Sequence, residues 1–145
     1  MPSFKVFDIA GSGLSAQSVR LNTVASNLAN ADSVSGDPST VYKARHPVFE
    51  AVRASLGAQG VGGASQGGGA AVRVTGIVES NAAPTSRYEP GNPLADTNGY
   101  VYAPNVNVVE EMVDMISASR AYQNNVEVLN TSKDLMLATL KLGQS

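Results

Sequence analysis

Cysteine is absent from the 145 residues. That excludes disulfide frameworks, thiolate metal sites and cysteine nucleophiles. Tryptophan is also absent, and histidine occurs once, at His46. A single histidine with no metal-ligand spacing around it leaves neither a catalytic triad nor a metal site to assemble, so no catalytic, cofactor-binding or metal residue is assigned. Charge is scarce: 15% of residues are charged, against about 25% in an ordinary globular domain. Twelve acids against ten bases give a net −2, a balance that forms no basic footprint for nucleic acid. No apolar run approaches the ~18 residues that span a bilayer. The opening MPSFKVFDIAGSG sets Asp8 close to Lys5 and holds no long apolar core, so it does not read as a cleaved secretory signal. The expectation is a cytoplasmic protein, or one that leaves by a route needing no such signal.

Proline and glycine are missing from the ends and crowded into the middle. After Pro2, all six remaining prolines lie in residues 32–104, with all the glycines except Gly11, Gly13 and Gly143. The expected organisation is therefore an N-terminal helix over 1–31, an extended or β middle segment over 32–104, and a C-terminal helix over 105–145. In the first helix Phe7, Leu14, Leu21 and Leu28 repeat every seven residues, a coiled-coil spacing. Gly11 and Gly13 interrupt it: either the regular helix starts after them or they admit a close neighbour. In the second helix Met112, Met115, Tyr122, Val126, Leu129 and Met136 follow the heptad, and Asn107 with Glu110 three residues on forms a capping-box pattern. A helix of about 35 residues is ~50 Å long. Its end, LMLATLKL, is apolar nearly all round, and such a helix needs cover on more than one side.

The middle segment alternates loosely at residues 41–46 and 48–52 and clearly at 72–79, which predicts a small β-hairpin or meander. Between these runs, residues 57–70 (GAQGVGGASQGGGA) read as a flexible linker. They lack the Gly-Lys-Ser/Thr ending of a phosphate loop, and Ser65 stands where a dinucleotide fingerprint needs its third glycine. Glu110, Glu111 and Asp114 read as acids favoured by the helix N-terminus rather than as a cation site. The asparagines Asn22, Asn27, Asn30, Asn124, Asn125 and Asn130 are poor helix formers. They read either as a solvated face or as residues that fix the register of a neighbouring chain.

The fold class expected from these features is mainly α and elongated. The N- and C-terminal helices pair as an antiparallel coiled coil around a small β-hairpin or loop middle segment. The intrachain seam is assigned to Phe7, Leu14, Leu21, Leu28, Met112, Met115, Tyr122, Val126, Leu129 and Met136. Intersubunit contacts are assigned to Asn27, Asn30, Asn130, Leu137, Leu140 and Leu142.

Residues 12–33, SGLSAQSVRLNTVASNLANADS, resemble the N-terminal signature of bacterial flagellar axial proteins. Residues 99–144, GYVYAPNVNVVEEMVDMISASRAYQNNVEVLNTSKDLMLATLKLGQ, resemble their C-terminal signature. YKARHPVF (42–49) and YEPGNPLAD (88–96) lie between them. With the short length, the chain resembles the flagellar basal-body rod proteins of the proximal rod. The resemblance implies a structural subunit, not an enzyme, that assembles helically into a periplasmic drive shaft and transmits torque. It implies type III export without a cleaved signal and no cofactor or small-molecule substrate. The implied partners are copies of itself, other rod proteins, the inner-membrane ring adaptor and the export apparatus. Other readings are a coiled-coil interaction adaptor that forms no filament, or another flagellar rod or hook subunit.

Overall fold

A computed structural model describes residues 2–53 and 69–143; the predicted linker 57–70 lies outside these residues except for Gly69 and Ala70. The elements run α1 (Pro2–Asn30), β1 (Arg45–Arg53), β2 (Ala70–Glu79), β3 (Thr85–Tyr88), β4 (Tyr100–Ala103) and α2 (Val108–Leu142). Helix α1 has 29 residues and passes through both Gly11 and Gly13 without a break. Helix α2 has 35 residues, or about 52 Å at 1.5 Å per residue. Its first turn is capped by Asn107, whose side chain accepts from the Val109 N–H, and Glu110 and Glu111 occupy that turn. These residues satisfy a free donor and complement the positive end of the helix.

Strands β1 and β2 form an antiparallel ribbon from Arg45↔Glu79 to Arg53↔Ala70. The register shifts between Val48 and Phe49, leaving Thr75 as an extra residue on β2, and its hydroxyl donates to the Val48 carbonyl at 3.2 Å. Pro47 pairs with Ile77 within this ribbon, a position open to proline because the ribbon has only two strands and each is an edge. A second antiparallel pair joins β3 to β4, from Thr85↔Ala103 to Tyr88↔Tyr100. Ser35 bridges the far side of β4 through two backbone bonds to Tyr102.

Helix α1 is the central element, in contact with α2 and with both strands of the ribbon. The ribbon runs back along it. Arg45, at the ribbon base, is bonded to Asn27, and the Val72 N–H donates to Ser12 Oγ at 3.0 Å nearer the helix start. Against α2 the helix is antiparallel. Asn27 meets Glu111, Arg20 meets Asp114, Gly13 lies under Asn125, and Val6 shares a hollow with Ser132 and Met136. The buried apolar side chains are small: Ala10, Ala16, Val24, Val41, Ala44, Val101 and Ala118.

This architecture corrects the expected fold class. Besides the two helices, the described residues form two antiparallel sheets with strands of 9, 10, 4 and 4 residues, too much strand for a mainly α description. The helices lie side by side, but not through a coiled-coil seam of large apolar residues. On α1 the line facing α2 is Val6, Gly13, Arg20 and Asn27. Each stands one residue before Phe7, Leu14, Leu21 and Leu28, a rotation of about 100°. The reason is steric and electrostatic. A Cβ on Gly13 would come within 2.8 Å of Asn125 Nδ2, so the helices approach more closely there than two leucines allow, and polar pairs occupy Arg20 and Asn27.

Candidate assembly interface

Two kinds of feature define the molecule's working surface: a polar clamp that sets the mutual geometry of α1, β1 and α2, and the apolar face that this geometry leaves outward. The clamp centres on Asn27, which is fully buried. Its Nδ2 donates to the Arg45 carbonyl and to Glu111 Oε1, both at 2.8 Å. Its Oδ1 accepts from the Arg45 N–H and the Tyr42 hydroxyl, both at 2.9 Å. An amide side chain offers two donors and two acceptor lone pairs, and all four are used. Tyr42 in turn lies 3.2 Å from Ser26 Oγ, and the Arg45 guanidinium stands 5.5 Å from the Tyr42 ring centre. Asn105 adds a second tie: its Oδ1 accepts from the Ala44 N–H and its Nδ2 donates to the Ala82 carbonyl, both at 2.8 Å. Glu111 is buried, and its second oxygen, Oε2, has no hydrogen-bond partner.

Near the clamp, the β3–β4 connection is fixed by Asp96. Its Oδ1 accepts from the Asn98 and Tyr100 N–H groups at 2.8 Å, and Tyr102 donates to Oδ2. The Tyr100 bond is the leading cause that holds the Asp96 carboxyl below the usual carboxylate range. Burial, then the neighbouring Asp96 charge, pushes the Tyr102 phenol up. Gly99 completes the turn with φ +83°, a left-handed conformation that suits glycine.

The outward face of α2 is apolar at its start, where Val109 is 69% exposed, Val113 61% and Ile116 53%, with Met112 exposed beside them. Leu135 and Leu140 are exposed farther along but lie on other sides of the helix: Leu135 lines the hollow beside Val6, and Leu140 stands about 140° around from Val109. Large apolar side chains exposed together mark a surface meant for another molecule. One open concavity, about 470 Å³, is lined by residues such as Asn30, Thr40, Tyr42 and Glu79. Among the described residues no cluster of three His, Asp or Glu is placed to hold a metal ion, and no helix is long and apolar enough to cross a membrane.

The predicted site residues fall in different places. Phe7, Leu14, Leu21, Leu28, Met115, Val126, Leu129 and Met136 are half-buried, while Met112 and Tyr122 are exposed. Met136 shares the Val6 hollow. Among the residues assigned to intersubunit contact, Asn27 requires correction: it is enclosed within its own chain and its hydrogen-bonding capacity is already used there. Asn30 is half-buried and donates to the Ser26 carbonyl. Asn130, Leu137, Leu140 and Leu142 are exposed. Glu111 and Asp114 were read as helix-end acids only, yet they are the α2 side of the interhelix clamp. The signal was present in the sequence: Glu111, Ala118 and Asn125 recur every seven residues, as do Gly13, Arg20 and Asn27. His46 lies in β1, exposed and opposite Val78.

The two ends of this architecture match known families. The family profile for flagella basal body rod proteins matches residues 7–36, covering most of α1. The profile for the C-terminal region of flagellar basal body rod FlgEFG proteins matches residues 97–142, covering β4 and α2. Full-length relatives agree. The chain is 56% identical over 144 residues to the flagellar basal-body rod protein FlgC of Salmonella typhimurium, an alignment covering 99% of this chain and all of the relative. The identity to FlgC of Escherichia coli O157:H7 is also 56%, with the same coverage. To FlgC of Buchnera aphidicola subsp. Baizongia pistaciae it is 36% over 146 residues, covering 99% of this chain and all of the relative. The chain therefore belongs to the flagellar basal-body rod protein family, as a structural rod subunit whose place is the basal body.

Proposed function

We propose that this chain builds the proximal section of the rod by helical assembly with copies of itself and with other rod proteins, and that it transmits torque through those contacts. The observation that carries this reading is the apolar outward face at the start of α2, Val109, Met112, Val113 and Ile116, on a helix about 52 Å long whose opposite side is occupied by α1. Each such side chain contributes roughly 1.5–3 kcal/mol when fully buried, so successive subunits have a driving force that needs no catalytic chemistry. The polar clamp supports the mechanical part of the reading. A buried, fully bonded amide linking three elements resists their relative displacement under load.

Asn30, Asn130, Leu137, Leu140 and Leu142 are assigned to contacts between subunits. The inner-membrane ring adaptor and the export apparatus are the further partners this reading names, and the periplasm is the compartment. No catalytic step, cofactor or substrate enters it. The test is complementation. Cells whose own copy of this gene is deleted should lose swimming, regain it when the chain is supplied, and carry the chain in purified basal bodies. Restored swimming with basal bodies that lack the chain would overturn the reading.

A further inference from the structure

Away from the helices, the chain holds one chemically reactive dipeptide. Of its asparagines only Asn98 is followed by glycine. An asparagine so placed loses its side-chain amide by ring closure. The backbone nitrogen of the glycine gives up its proton and attacks the asparagine Cγ. A new N–Cγ bond forms, the Cγ–Nδ2 bond breaks, and the amide nitrogen leaves as ammonia with that proton. Water then opens the cyclic imide at either carbonyl, leaving aspartate or isoaspartate. Glycine favours the attack because it has no side chain to hinder the approach. Asn98 is exposed, and its side-chain amide has no hydrogen-bond partner among the described residues. Neither burial nor a bond to the leaving group restrains the reaction.

The backbone does restrain it. To reach Cγ, the Gly99 nitrogen must swing about the Cα–C bond of Asn98. Both sides of that bond are tied to Asp96. Its Oδ1 accepts from the Asn98 N–H and from the Tyr100 N–H, both at 2.8 Å. Its carbonyl accepts at 3.0 Å from the Gly99 N–H, the attacking group itself. The Gly99 carbonyl in turn accepts from the Glu89 N–H at 2.9 Å, just past the end of β3. Rotation breaks the bonds on one side or the other.

We infer that Asn98 is a latent deamidation site held closed by the folded β3–β4 turn, with Asp96 as the positioning residue that holds it. The site opens when the turn opens, whether locally or with the whole chain. The reaction then runs one way. Isoaspartate lengthens the backbone by one carbon inside the turn, and aspartate sets a second carboxylate close to Asp96. Both products oppose re-formation of the turn that leads into β4, where Val101 is fully buried.

Peptide mass mapping of the purified full chain tests this, after incubation in mildly alkaline buffer with and without guanidinium chloride. In denaturant Asn98 should be the fastest asparagine to become an acid, and Gly99→Ala should slow it about tenfold or more. In the folded chain Asn98 should react about tenfold or more slowly than in denaturant, because only locally opened molecules react. Asp96→Ala should bring the native rate close to the denatured one with the circular dichroism of the parent. Asp96→Asn, whose amide oxygen still accepts from both N–H groups, should stay near the parent rate. Equal rates for the parent with and without denaturant would overturn the inference. So would a folded Asp96→Ala variant that reacts no faster than the parent. The comparison within the parent chain decides the matter even where Asp96→Ala fails to fold, and it is independent of whether the chain restores swimming.

Discussion

At the scale of single residues, the clamp and the turns make the sharpest predictions. Asn27→Ala removes four hydrogen bonds and leaves the part-buried Arg45 backbone groups and one buried Glu111 oxygen without the amide that bonds them. Unsatisfied buried polar groups cost about 1–3 kcal/mol each, so urea unfolding should show a loss of at least ~3 kcal/mol. Glu111→Gln keeps an acceptor for Asn27 and should shift the same midpoint far less. Two glycines give an opposed pair. At Gly99 the φ of +83° and a Cβ 2.9 Å from Tyr88 Cε2 make alanine strained, and Gly99→Ala should destabilise by about 1–2 kcal/mol or more. At Gly11 a Cβ meets nothing within 4 Å. Gly11→Ala should stabilise α1 by up to ~1 kcal/mol. Thermal melts of the two variants should move in opposite directions.

The pH dependence also belongs to single residues. The carboxyls of Asp96 and Asp37 are held below their ordinary value of 3.8, Asp96 chiefly by the Tyr100 N–H and Asp37 chiefly by the Ser39 N–H. The folded state thus binds these protons less readily than the unfolded chain. Their stabilising contribution is fully present above the unfolded value and is lost as pH falls through the lower folded values. A melting-temperature profile should decline below about pH 4, and Asp96→Asn should flatten that decline. An unchanged slope in the variant would remove Asp96 from the account.

At the scale of elements, periodicity located the two helices but not the way they face each other. Asn107 marked the start of α2 because a side-chain acceptor before an apolar periodic run is a local feature, and the alternation at residues 72–79 marked β2 for the same reason. The interhelix face was harder to read. Large residues dominate a heptad count, so attention fell on Leu14, Leu21 and Leu28, whereas the closest approach is made by Gly13, with Arg20 and Asn27 in line. Which of two adjacent lines turns inward depends on the ribbon packed on another side of α1, a long-range pairing that local spacing does not encode. Asn27 was misplaced for the same reason: its partners are 15 to 84 residues away. Ala118, fully buried, tests the corrected face. Ala118→Leu should overpack it and cost about 1–3 kcal/mol. Arg20→Ala breaks a partly exposed ion pair with side chains 28% and 43% exposed and should cost no more than ~1 kcal/mol. Comparable losses from both would contradict a close-packed interhelix contact at Ala118.

At the scale of the whole molecule, stability and assembly occupy different surfaces. The buried polar clamp and the small-residue core hold α1, the ribbon and α2 together. The exposed apolar residues at the start of α2, Val109, Val113 and Ile116, contribute little to that core. The measurement that tests this separation most directly pairs swimming with folding for Val113→Asp and Ile116→Asp, supplied to cells whose own copy of the gene is deleted. Surface substitutions of this kind change stability by about 0.5 kcal/mol or less, so the purified variants should melt as the parent chain does. Swimming should nevertheless be lost, with the chain missing from purified basal bodies. Normal swimming by cells producing either variant would contradict the assignment of the α2 outward face to assembly.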